Sequence, residues 1–293
     1  TFLTLPSGDP SLVKSAVRKY LFDVDNNHLL NRHHLNDICQ ATKVMHDGIY
    51  PSEEQAIKLF NLMVDWRPRN DEGDILGWSQ QEDEIIVSLI GDALSLSIAP
   101  SLSKEDLTED NYNKLFAFYN DTESPNAMIA FTYFATANHT LIERVEKTIR
   151  QGFHSKGNFL AFSSRALLKW RGMMELPVIE RLILRLVYLT ESGFKSGLSV
   201  QLSVIKEMLS NGFLNSEHID SLVEIIPVIF DNSNYVNISP SSRESVSISF
   251  VRASCVELAK ELLNKTSHNS ELIRILDEAQ RDSLPEVRFA VLD

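Results

Sequence analysis

The sequence predicts an all-α protein, an α-solenoid of stacked antiparallel helix hairpins with about 13–14 helices. Three observations carry that expectation. Apolar residues recur at i, i+3, i+4 and i+7 through most of the chain, which marks one buried stripe per helix. The eleven Gly and ten Pro sit mostly between those periodic stretches, as turns rather than as strand breaks. No stretch shows the sustained alternation of a half-buried strand. At 293 residues the chain also exceeds the usual size of a single core, a limit that an array growing in one direction escapes.

In chain order, Asp9-Pro10 reads as an N-cap with proline at the first helical position. It opens a helix whose stripe is Leu12, Val13, Ala16, Val17, Tyr20 and Leu21. Helices are expected next over Leu29 to Met45 and Pro51 to Trp66, the latter with Glu53 and Glu54 at the positive end of its dipole. Arg67 to Gln80, with its Pro, Gly and acids, reads as a surface loop. Helical stretches follow over Glu82 to Ile98, Glu109 to Asn120, Pro125 to Ala137, Thr140 to Phe153 and Asn158 to Met173.

Beyond them the period is clearest. Ile179, Leu182, Ile183, Leu186 and Val187 form one stripe, Leu198, Leu202, Ile205 and Leu209 another, and Leu222, Ile225, Ile226, Ile229 and Phe230 a third. Ser192-Gly193 and Asn211-Gly212 are glycine stops. Asp231 to Pro240 is a second loop, and Ser241-Ser242-Arg243-Glu244 has the capping-box pattern before a helix that runs to about Leu263.

One internal repeat stands out. Phe250-Val251-Arg252 and Glu286-Val287-Arg288 place Val-Arg pairs 36 residues apart, and the second follows the helix Leu272 to Gln280 and the turn Asp282-Ser283-Leu284-Pro285. This order of helix, Asp turn and Val-Arg resembles a HEAT repeat of the HEAT/armadillo superfamily. In that family the turn Asp and the Arg of the second helix tie neighbouring units together, so the resemblance implies structural roles for Asp282, Arg252 and Arg288. The organisation expected is a single elongated helical-repeat fragment over 1–293, with N-terminal helices at 1–66, an irregular loop at 67–80, helical hairpins at 81–240 and HEAT-like repeats at 241–293. At the other end, Phe2-Leu3-Thr4-Leu5-Pro6-Ser7 before an amphipathic helix resembles the segment after the nucleotide-binding and winged-helix parts of large bacterial signalling ATPases. Their C-terminal helical arrays act as sensors, often in anti-phage immunity, which is one alternative expectation for this chain.

Signals for chemistry are weak. Gly152-Phe153-His154-Ser155-Lys156-Gly157 has the glycine spacing of a phosphate loop, but Asn158-Phe159 replaces the Lys-Ser/Thr pair. Gly193 to Gly197 misses the nucleophile elbow by one position. Asp23-Val24-Asp25-Asn26-Asn27 begins like a calcium loop, yet His28 takes the place of the turn Gly and His34 that of the closing Glu. His33 and Asp37 have ligand spacing, without the third donor that a metal site needs. The reading is therefore a non-enzyme with no cofactor, no metal and no small-molecule substrate.

Cys39 and Cys255 are far apart in sequence, which points to a reducing, cytoplasmic compartment. The four Asn-x-Ser/Thr patterns at Asn120, Asn138, Asn237 and Asn264 read as chance. The most apolar window, Ile85 to Ala99, is interrupted by Asp92 and falls short of the ~20 residues that span a bilayer.

Charge is more informative. The chain carries net −12, yet between His139 and Gly172 seven cations stand against two glutamates. This basic belt, Arg144, Lys147, Arg150, Lys156, Arg165, Lys169 and Arg171, is the candidate binding site, because local potential rather than net charge steers an encounter. The acidic stretch Asn70 to Ile85 is the nearest intramolecular counter-charge. A macromolecule-binding scaffold with a protein partner is the expected function, nucleic acid is the alternative, and reversal of Arg144, Arg150 and Lys169 is expected to abolish binding with the fold intact.

Overall fold

The structure, a computed structural model, describes residues 10–23, 30–42, 48–67, 81–155, 158–191, 198–233, 243–266 and 269–292. Regular structure among them is entirely helical, with fourteen α-helices and no strand. The helices group into two compact units, residues 1–152 and 153–293. That division falls inside the 81–240 stretch that the sequence reading treats as one run of hairpins.

Unit 1 contains α1 (Pro10–Phe22), α2 (Arg32–Ala41), α3 (Glu53–Val64), α4 (Gln81–Ala93), α5 (Glu109–Thr122), α6 (Met128–Ala137) and α7 (Ile142–Gly152). Among the described side chains of its first helix, Leu21 and Phe22 are buried, whereas Ala16 and Tyr20 of the expected stripe are exposed. Pro51 does not open α3. It lies before Ser52, which caps the helix and forms a capping box with Gln55, the serine accepting from the Gln55 amide while the Gln55 side chain accepts from the Ser52 amide. The loop expected at 67–80 lies, apart from Arg67, outside the described residues, as do residues 24–29 of the candidate calcium loop, whose His34 falls within α2.

At the centre of unit 1, α4 continues into a π-turn at Leu94–Ile98 and a 3₁₀ turn at Ala99–Ser101. The π-turn packs against α2, α3 and α6, and its Leu94, Ser95, Ser97 and Ile98 are buried. Gly91 shows why the preceding turn of α4 carries no side chain. A Cβ there would stand 2.7 Å from both Asn126 Cβ and Ser124 Oγ, on the short 3₁₀ segment that presses on α4. The run Glu84–Ser101 is 18 residues of mean hydropathy 1.4, long and apolar enough to cross a membrane, and half of it is buried within the unit.

Unit 2 contains α8 (Phe159–Arg171), α9 (Leu176–Glu191), α10 (Leu198–Ser210), α11 (Ser216–Asn232), α12 (Arg243–Leu263), α13 (Ser270–Ala279) and α14 (Pro285–Leu292). The predicted stripes face the core, with Leu182, Leu186, Leu202, Ile205, Leu222 and Ile226 fully enclosed. Packing follows two layers. Helices α8, α10, α12 and α14 contact one another in that order, and α9, α11 and α13 do the same beside them. Gly212 takes a φ of 75° at the stop after α10, as its place in Asn211-Gly212 predicts. The second loop begins later than expected, since α11 runs through Asp231 to Asn232. Pro227 falls inside that helix, so the Val223 carbonyl lacks its intrahelical donor.

Ile226 sits in the middle of the α11 stripe with no exposed surface. Ile226→Asp would enclose a carboxylate without a partner and should destabilise unit 2 by about 4 kcal/mol or more. Chemical denaturation followed by circular dichroism checks this, and a midpoint unchanged from wild type would show the stripe assignment to be wrong.

Candidate interaction surface

The residues of the basic belt are divided between the two units. Arg144, Lys147 and Arg150 belong to α7 in unit 1, Arg165, Lys169 and Arg171 to α8 in unit 2, and Lys156 lies outside the described residues. Arg144 is committed to its own unit. One guanidinium nitrogen bonds Glu109 Oε1 at 2.7 Å and another Asn113 Oδ1 at 2.7 Å, while the group lies 4.5 Å above the Tyr112 ring. It thereby fastens α7 to α5. Arg150 pairs with Glu146 one turn back at 3.1 Å, and Lys147 is exposed and outside the ion pairs of the described residues.

In unit 2, Arg165 approaches Glu207 of α10 at 3.8 Å, and Arg171 stacks on Trp170 at 3.9 Å. Glu109, Glu146 and Glu207 are thus among the acids that meet the belt. Residues 70–80 of the acidic stretch, and the side chains of residues 81–83, lie outside what the structure describes.

A second arginine is placed with more constraint. Arg252, on α12, has its side chain 11% exposed, and Asp282, between α13 and α14, has its side chain 2% exposed. Arg252 Nε and a terminal nitrogen both donate to Asp282 Oδ2, at 3.0 and 2.7 Å. Its other terminal nitrogen donates to the Phe230 and Ser233 carbonyls at 2.8 and 3.4 Å, at the C-terminal end of α11. The guanidinium also lies 3.9 Å over the Phe230 ring. Asp282 Oδ1 accepts from the Leu284 amide at 2.9 Å, at the start of α14. Arg288 plays a different part. It is exposed and donates to the Asp282 backbone carbonyl at 2.6 Å.

The remaining candidates for chemistry are dispersed. His28 and His46 lie outside the described residues, His33 and Asp37 are exposed on α2, and no group of three metal-binding side chains occurs among the described residues. Cys39 and Cys255 are buried, and burial pushes the Cys255 thiol far above its ordinary range, which suppresses the nucleophilic thiolate. Burial also raises the Tyr119 phenol to about 12, with Glu123 adding to the shift. A shallow groove along α13 is lined by Ile273, Arg274, Asp277 and Arg281. Its Arg274 guanidinium is engaged by Asp231, Glu278 and Glu271, and these bonds raise its pKa further.

Sequence reasoning overlooked the apolar side chains that face outward. Leu184 and Tyr188 on α9, Phe250 on α12 and Phe289 on α14 are 67%, 63%, 52% and 62% exposed. A signal existed for the first two, because they stand at i, i+4 on the side of α9 opposite the buried stripe.

The fold defines an all-α protein. No family model, curated protein or solved structure matches the chain.

These contacts set an order of mutational effects. Arg252→Met should cost roughly 3–5 kcal/mol, because it leaves Asp282 enclosed without its counter-charge. Asp282→Asn should cost a similar amount, since the amide keeps one acceptor for Leu284 but turns its NH₂ toward the Arg252 donors and removes their counter-charge. Urea titrations of both variants test this, and either one unfolding like wild type would contradict it. On α7, Arg144→Glu faces Glu109 with a like charge and should lose about 1 kcal/mol. Lys147→Glu should stay within about 0.5 kcal/mol of wild type by thermal melting. Equal losses for the two would mean that Arg144 is as idle as Lys147.

Proposed function

We propose that this chain is a non-catalytic binding module, part of a HEAT-like α-solenoid, that holds another macromolecule through the outward faces of its helix pairs. A protein is the favoured partner. The observation that supports this reading most is the exposure of Phe250 and Phe289, on α12 and α14, which neighbour each other in one layer of unit 2. Large aromatic side chains on the surface are characteristic anchors of protein interfaces. The pairing of Arg144, Arg150 and Arg165 with carboxylates weighs against a phosphate-binding role for the belt. A reducing, cytoplasmic setting accords with two buried free cysteines.

Affinity capture from the native host with the wild-type chain and a Phe250→Glu, Phe289→Glu variant tests the reading. A protein retained by the first and lost from the second is the expected result. If no protein discriminates between them, and a labelled duplex instead binds with the steep salt dependence of several phosphate contacts, nucleic acid replaces protein as the partner.

A further inference from the structure

Helix α9 carries two apolar stripes. The first, Val178, Ile179, Leu182, Leu186 and Leu189, is buried in unit 2. On the opposite side Pro177, Leu184 and Tyr188 are exposed, Leu184 by 67% and Tyr188 by 63%. Taken as a heptad seam, this side has Pro177, Leu184 and Glu191 at one set of core positions and Arg181 and Tyr188 at the other. Glu180 and Arg185 then fall on the two flanks, five residues apart. Neither takes part in an ion pair among the described residues.

We infer that α9 is a self-association surface whose occupant is α9 of a second copy, packed in parallel. In a parallel pair a residue on the first flank meets the opposite flank of its partner five positions further on, so Glu180 faces Arg185 of the other copy, twice by symmetry. The antiparallel alternative brings like flanks together, Glu180 to Glu180 and Arg185 to Arg185, and is disfavoured by charge alone. Leu184 and Tyr188 then lie against their own counterparts. The seam bears one cost. Arg181 stands at a core position, where its Nη1 is tethered to His154 Nδ1 at 3.2 Å, and two such cations near the axis limit the affinity. At 16 residues the helix is about 24 Å long, and one face of it supplies less than the ~800 Å² per partner of a stable interface, so the dimer is weak and concentration-dependent.

This inference is independent of the proposed role in holding a different macromolecule. Sedimentation velocity of the full chain from micromolar to millimolar concentration should show reversible dimerisation, lost in Tyr188→Glu. Glu180→Arg and Arg185→Glu should each weaken the dimer at least about tenfold, because two attractions become repulsions, and the double variant should restore it. All four residues face solvent at least in part, and circular dichroism of each variant checks that it is folded. Leu184→Cys should form an interchain disulfide on mild oxidation, which a parallel seam allows at that position, with both native thiols buried. A chain that stays monomeric at every concentration, single reversals without effect, a double variant no better than the singles, or a Leu184→Cys chain that does not cross-link would each overturn the parallel α9 pair.

Discussion

A guanidinium enclosed in a helical core sets strict terms for everything around it. Arg252 cannot be deprotonated, and each of its N–H groups needs an acceptor once water is gone. Asp282 supplies a carboxylate oxygen to two nitrogens, and the Phe230 and Ser233 carbonyls take the third. Those acceptors come from two places in the chain, the end of α11 and the turn after α13, and the Leu284 amide, donating to Asp282, ties the second to the start of α14. Satisfying one side chain therefore fixes how three helices stand around α12. That helix packs against α10, α11, α13 and α14, so the spacing of both layers in unit 2 follows from the same constraint.

Unit 1 meets its constraint with shape rather than charge. Its centre is the continuation of α4 into a π-turn, where one more residue per turn lets Leu94 and Ile98 reach the core. Ser95 donates to the Asn126 carbonyl at 2.6 Å and accepts from the Ala130 amide, so the irregular turn is tied to the start of α6. Gly91 permits the close approach that brings those groups within reach. Around them Tyr112, Phe131, Phe134 and Phe60 meet at angles that suit aromatic quadrupoles, with ring centres 5.5–6.2 Å apart.

Surface charges in unit 2 follow the same economy. Arg165 reaches Glu207, Lys206 reaches Glu257, and Lys260 donates to the Ala290 and Val291 carbonyls. These contacts link α8 to α10, α10 to α12 and α12 to α14 in turn. Ion pairs of this exposure contribute little stability individually. They matter more for which helix lies next to which, and they leave the outward apolar side chains as the more distinctive surface.

By itself, the sequence determined the helical class, most helix positions and the buried stripes, because those depend on the 3.6-residue period and on local stops such as Gly212. The pattern at Arg252 and Asp282, read through the resemblance to HEAT repeats, also marked the two residues that meet across 30 positions. What the sequence could not decide was whom each charge faces. Arg144 and Lys147 read alike, on one helix and three residues apart, yet one is held by Glu109, Asn113 and Tyr112 and the other is exposed. The same limit hid Leu184 and Tyr188, since a stripe of apolar residues has the same period whether or not another helix covers it. The grouping of helices into units and layers, the π-turn after α4 and the closeness that needs Gly91 were settled by tertiary packing alone, because they depend on contacts between residues distant in sequence, which no local period encodes.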